Sequence, residues 1–246
     1  MIVAAHQPSY LPWLGYLDKV AKADLFVVMD DLQYEAQNFQ NRNRIKVNNG
    51  VAWLTVPLVR GSQSDRICDK IIRNDGFSAK EHWQRRTWMT LRTHYGRAPY
   101  FADYADAVED LMTRRWESLV ELDLYVLELV MRWLGINRPI LRSSSLGLSG
   151  LKTDRLIEMC RKVGARTYLS GKGGSTGYLD VGAMEAQGIR VTWQQFQHPT
   201  YSQRYPELGF APYLCILDLL FNCGPQSQTI LFGETEAAQA VSGAAR

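Results

Sequence analysis

The chain has 246 residues, 46% hydrophobic and 22% charged, with a formal net charge of +3. That length and apolar content support a sizeable core in one large domain. The near-balanced charge argues against a dedicated nucleic-acid binder, while leaving room for a local basic patch.

Four cysteines, Cys68, Cys160, Cys215 and Cys223, are far apart and show no C-x-x-C spacing. They read as reduced, mostly buried thiols of a cytoplasmic protein and not as a zinc site. The opening "MIVAAHQPSY" has no basic region and its apolar run stops at His6, so no signal peptide is expected. No apolar window approaches the length needed to span a bilayer, so no membrane partner is expected.

Residues 2–5 read as a short buried strand. Pro8 and Pro12 forbid regular helix until about residue 13. Residues 13–22 then suit a helix with Leu14, Leu17 and Val20/Ala21 on one face. "LFVVM" (25–29) is a continuous apolar run, the pattern of a strand buried on both faces. Strand, helix and strand make a βαβ unit. A polar loop follows over 30–44. "RIKV" and "VAWLTVPL", separated by Asn48-Asn49-Gly50, predict a hairpin. "DKIIR" (69–73) predicts a further strand. From about 78 to 135 the apolar spacing is helical, through Trp88, Leu91, Tyr95, Tyr104, Val108, Leu111, Leu124, Leu127 and Met131, with Gly135 as a C-cap. "PILRSSSL" (139–146) predicts a return to the sheet. Beyond it lie a helix at 154–163, a strand at 166–170, a glycine-rich loop at 171–177, a helix at 179–187, a strand at 189–196 and a last helix at 213–223. The tail 234–246 is small and polar and reads as flexible. Alternating strands and helices predict an α/β fold with a mostly parallel sheet over residues 1–233, carrying a helical insertion at about 78–135.

Ligands of open α/β sheets sit at the carboxyl ends of the strands. Four such ends carry polar or flexible groups. His6 and Gln7 end the first strand; a histidine there suits acid/base work or phosphate donation. Asp30 and Asp31 end the second and could orient an amine or a metal, or simply form a turn. Gln33 follows in the same loop. Ser170, Gly171, Lys172, Gly173 and Gly174 end a third. Glycines let backbone N–H groups approach an anion, although this is no Walker A motif. His198, Tyr201 and Gln203 follow the last strand and are candidates to close the site. "NFQNRNRIK" adds Asn41 and sets Arg42, Arg44 and Lys46 on one face by alternation, a match for an anionic ligand or a solvated strand edge.

Several segments together, "HQPSYLPWLGYLDKVAKADLFVVMDDLQY", "FQNRNRIK", "WLTVPL", "APYF", "SSSL", "LSGKGGSTGYLD", "QHPTYSQ" and "LCILDLLFN", resemble the WbqC-like protein family across nearly the whole chain. The resemblance implies an enzyme of glycan or specialised-metabolite biosynthesis, associated with amino-sugar or aminoacyl modification. The opening also looks like that of HIGH-type nucleotidylyltransferases and pantothenate synthetases. His6 matches their first histidine. Ser9-Tyr10 stands where Gly-His is expected, so the second histidine is missing and Tyr10 stands in its place. This similarity implies a nucleotidylyltransferase-like, Rossmann-like fold more than it implies ATP cleavage. ATP with Mg²⁺ is the co-substrate it would bring; the residues themselves leave the metal open.

The function expected from both lines is transfer or ligation of an acyl group, aminoacyl above all, onto an amine of a small substrate. An activated acyl donor would be the other substrate. His6 would be the acid/base, Asp30 or Asp31 would orient an amine or metal, Arg42, Arg44 and Lys172 would hold an anion, and His198 with Tyr201 would close the site. The alternatives are nucleotidyl transfer and a non-catalytic module that binds a nucleotide-sugar or carrier-bound intermediate.

Overall fold

The computed structural model describes residues 1–76, 78, 82–173 and 177–233; Gly174 and the tail 234–246 lie outside the described residues. In chain order the elements are β1 (Ile2–His6), α1 (Leu14–Lys22), β2 (Leu25–Val28), β3 (Arg42–Val47), β4 (Gly50–Thr55), α2 (Trp83–Tyr95), α3 (Phe101–Thr113), α4 (Leu119–Trp133), β5 (Ile140–Arg142), α5 (Lys152–Lys162), β6 (Thr167–Ser170), α6 (Val181–Ala186), β7 (Arg190–Trp193), α7 (Ile216–Cys223) and α8 (Ser227–Phe232).

Five strands form one parallel sheet in the order β5-β2-β1-β6-β7, and β3 and β4 form a separate antiparallel hairpin. The chain first builds outward from β1 through β2 to β5. It then returns to lay β6 on the other side of β1 and continues to β7. This reversal makes the β1/β6 boundary the topological switch point of a doubly wound, Rossmann-like sheet.

Side-chain alternation explains the layers. Val3, Ala5, Leu25 and Val27 face Leu156, Met159 and Met184 of α5 and α6. Ala4, Phe26 and Val28 point the other way, into a larger core with Leu14 and Leu17 of α1 and the helices α2, α3, α4 and α7. Both faces of β1 and β2 are therefore covered, and all four residues of β2 are buried, as the unbroken apolar run requires.

Three expectations fail for local reasons. "DKIIR" is no strand: Ile67–Asp69 is a 3₁₀ turn, held by the N–H groups of Ile67 and Cys68 donating to Leu32 O and Asp30 O, and only isolated bridges follow at Ile71 and Ile72. "PILRSSSL" stops as a strand at Arg142, because Ser143–Ser145 turn into a 3₁₀ helix that reaches Asp30. The last helix starts at Ile216 and not at 213, since Cys215 is extended and bridges Trp13. A further short helix, α8, follows the 3₁₀ turn Gly224–Gln226 and had no clear apolar period.

A buried carboxylate ties the hairpin and the helical layer together. Asp218 of α7 is fully buried. It accepts hydrogen bonds from Tyr95 (2.7 Å), Tyr201 (2.9 Å) and Gln203 (2.8 Å). Tyr95 in turn accepts the Lys46 backbone N–H of β3. Removing one donor leaves a buried acceptor short of a partner. Tyr201→Phe is expected to cost about 1–3 kcal/mol of stability, measured by urea unfolding; an unchanged midpoint would contradict this role.

Candidate functional site: the switch-point crevice

β1 ends at His6, and its ladder places the chain after His6 beside the chain after β6. The His6 ring is walled by Trp13 (centroids 5.3 Å apart) and Tyr16 (5.1 Å), both edge-on. Its Nδ1 lies 3.0 Å from Gln7 O. A carbonyl can only accept, so Nδ1 carries the proton and Nε2 keeps its lone pair. Nε2 has no partner among the described residues. Burial, reinforced by the charge on Lys19, lowers the His6 pKa from 6.5 to about 3. The imidazole is thus held neutral, with one basic nitrogen unspent.

Lys19 is the residue that sequence reading missed. It lies on α1 and is only 6% exposed. Its ammonium makes no hydrogen bond or ion pair among the described residues, and burial alone lowers its pKa from 10.5 to about 8. The adjacent Asp18 cannot neutralise it: that carboxylate is taken by Lys22 (2.7 Å) and by the side-chain amide of Gln194 (2.6 Å). Lys19 reads as solvent-facing on a helical wheel. What buries it is the chain after β6 and β7. A β-carbon on Gly171 would lie 3.1 Å from the Lys19 Nζ, so the glycine is there to let the lysine pass. Lys19 therefore stays charged near neutral pH in a crevice that offers it no counter-ion.

The other expected residues fall into separate groups. Ser170 is buried at the end of β6, and its carbonyl accepts the Gln194 N–H. Lys172 reaches outward to Gln195 (2.8 Å), and Gly173 follows it in the loop. Gln7 accepts from Gln40 (2.9 Å) and contacts Glu35, building a polar rim at the mouth of the crevice. Tyr10 is wholly buried in the core below.

Asp30 and Asp31 form a closed knot. Both Asp30 oxygens are engaged, by Arg142 (2.7 Å) and by the backbone N–H (2.9 Å) and hydroxyl (2.8 Å) of Ser144. Burial pushes the Asp30 pKa up, but the bonds from Ser144 and Arg142 outweigh it and hold the carboxyl below its ordinary value. Asp31 pairs with Arg155 (2.5 Å) and accepts from Ser143. Every carboxylate oxygen of the pair is thus occupied, and no cluster of three or more candidate metal ligands occurs among the described residues. The donor set does not fit a protein-held Mg²⁺ here. Gln33 is exposed and donates to Gln63 O, on the loop beyond this knot.

Arg42 and Arg44 do share a face of β3, with Trp53 of β4 beside them. Arg42 stacks 4.2 Å over the indole, and Arg44 donates to Tyr213 O (3.1 Å). Lys46 points to Gly209 O (2.5 Å). Asn41 joins Tyr34 to Val56 O. Contacts run from His6 through Trp13 and Phe39 to Trp53, so an aromatic wall connects the crevice to this cationic face. His198 is spent on structure: its Nδ1 donates to Pro199 O (2.8 Å) and its Nε2 accepts the Tyr213 N–H (3.1 Å). Tyr201 and Gln203 belong to the Asp218 network. Clefts of about 470, 400 and 290 Å³ lie elsewhere, beside Trp88 and Glu109, beside Glu158 and Arg161, and beside Trp53 and Arg86. The switch point is favoured over them because it joins strand ends to a half-buried neutral histidine and a lysine without a partner among the described residues.

The sign of the pH dependence follows. His6 has a lower pKa folded than unfolded, so the unfolded chain binds more protons between about pH 3 and 6.5. Its contribution to stability is complete above pH 6.5 and is lost as pH falls towards 3. Imidazole resonances of His6 are expected to show no titration between pH 7 and about pH 4.5. A midpoint near 6.5 would contradict the burial argument.

The sequence profile described as the WbqC-like protein family matches residues 7–230. The chain is 35% identical over 233 residues to a protein of Mycobacterium tuberculosis (strain ATCC 25618 / H37Rv) described as "Uncharacterized protein Rv1507c", covering 93% of this chain and 96% of that one. No solved structure matches. No helix among the described residues is long and apolar enough to cross a membrane. The chain belongs to the WbqC-like protein family.

Proposed function

We propose that the chain is an enzyme that transfers or ligates an acyl group, aminoacyl above all, onto an amine of a small substrate. The observation that carries this reading is the neutral His6, with an unspent Nε2, beside the charged Lys19 at the switch point. Amide formation needs a free amine, a base for its proton, and a positive group for the oxyanion that develops at the acyl carbon. Lys19 supplies the positive charge and disfavours a protonated acceptor nearby. His6 Nε2, unprotonated at neutral pH, would accept the proton, although burial makes it a weak base. The wall of Trp13 and Phe39 would position the flat parts of donor and acceptor, which is the larger share of such catalysis.

Nucleotidyl transfer is the second reading. It is favoured by one specific feature: a histidine at the end of β1 and a lysine on α1 without a partner among the described residues would also suit a transferring phosphoryl group. No step is routed through a metal, given how Asp30 and Asp31 are spent.

The test incubates the purified chain with ATP, Mg²⁺ and pooled amino acids, then reads pyrophosphate and acylated mass. Acyl transfer is expected to give a new amide mass that falls by about 10²–10⁴-fold in His6→Ala. Pyrophosphate without an amide product would favour nucleotidyl transfer. Undiminished activity in a His6→Ala, His198→Ala double variant would remove catalysis from both histidines.

A further inference from the structure

A buried charge without a counter-ion is expensive, and folded proteins do not keep one without compensation. Lys19 is largely such a charge: the residue is only 6% exposed and has no ion-pair or hydrogen-bond partner among the described residues. Its ammonium lies against Gly171, within electrostatic reach of His6, and the neutral Gln194 Oε1 lies 3.8 Å from the Gly171 β-carbon position. The nearest carboxylate in sequence, Asp18, is held by Lys22 and Gln194. Asp30, at the end of the neighbouring strand β2, is held by Arg142 and the serines. Glu35, at the mouth of the crevice, is engaged by the side-chain amides of Gln7 and Asn38. No carboxylate among the described residues pairs with Lys19, which leaves its charge open to an anion from outside the chain.

We infer that the switch-point crevice binds an oxyanion, a phosphoryl or carboxylate group of the substrate, as the counter-ion of Lys19 beside Gly171. This deepens the proposed function and rests on the same crevice being the reaction site. It assigns the substrate an anionic group near the reacting centre, such as the phosphoryl of an activated acyl donor or the carboxylate of an amino acid. The glycine matters twice: it admits the lysine, and its lack of a side chain leaves room at the ammonium.

The experiment is calorimetric titration of the full chain with inorganic phosphate, pyrophosphate and acetate, at neutral pH and constant ionic strength. Saturable binding of one equivalent is expected. Lys19→Met is expected to weaken it by about tenfold or more, the worth of a charge-assisted hydrogen bond. Arg115→Ala, an exposed cation paired with Glu117, is expected to leave it unchanged. Gly171→Ala keeps every charge but fills the space at the ammonium, and is expected to weaken binding as well; it carries the test if Lys19→Met does not fold. Preference for the phosphates would identify a phosphoryl-bearing donor, and preference for acetate a carboxylate substrate. Absence of saturable binding, or equal affinity in both crevice variants, would overturn the inference. The titration needs no turnover. A chain that binds the anion but forms no amide would sink only the acyl-transfer reading.

Discussion

The position of β1 is the constraint on which the rest depends. It is paired in parallel on both edges, by β2 and β6, and both of its faces are covered by helices. The chain reverses its winding direction there, so the end of β1 opens into a crevice and not onto another crossover. Groups placed at this point feel low dielectric and have few partners. That is why His6 is driven neutral and why Lys19, one and a half turns into the following helix, loses much of its basicity.

The polar interior divides into satisfied and unsatisfied parts, and the division separates scaffold from site. Asp30 and Asp31 clamp β2 to β5 and α5 through Arg142, the serines and Arg155. Asp218 clamps α7 to α2 and to the 201–203 segment. In both knots every carboxylate oxygen is bonded, as buried networks that specify a structure should be. Several buried donors elsewhere have no partner among the described residues, Ser9 Oγ and Arg155 Nε among them. Two ionisable groups, Asp123 and Lys19, bear on where charge is held. Asp123 of α4 is buried with neither carboxylate oxygen bonded, but burial raises its pKa well above the ordinary range, so it sheds its charge by holding a proton. Lys19 has no such escape at neutral pH, because a value near 8 still leaves it mostly charged. An unsatisfied neutral acid is a modest cost; an unsatisfied cation at a switch point calls for a ligand.

Much of the scaffold was legible from the sequence for a simple reason. Both-face burial leaves an unbroken apolar run at β2, and one-face packing leaves a helical period in α1, α4 and α5. The hairpin announced itself through Asn49-Gly50. Element ends were less legible where side chains made tertiary bonds, as at Ser143–Ser145, where three serines that suit a strand turn instead to cap Asp30. The site was legible only by its strand ends. The ends of β1 and β6, which carry His6 and Ser170-Gly171, lie side by side, and Lys19 reaches Gly171. Asp30, Asp31, His198 and Tyr201 sit near comparable positions but are spent on structural hydrogen bonds, which no pattern of residue types could reveal. Lys19 was invisible because its burial comes from segments more than 150 residues away, folded over a helix that looks amphipathic on its own.

The central claim is that Lys19 is a largely buried cation with no ion-pair or hydrogen-bond partner among the described residues. Direct titration of its side-chain ammonium by NMR, with the resonance assigned through Lys19→Met, tests it. Burial lowers its pKa to about 8, so a midpoint near 8 is expected. A midpoint at the ordinary lysine value of about 10.4 would mean that the ammonium is solvated or paired, and would contradict the account.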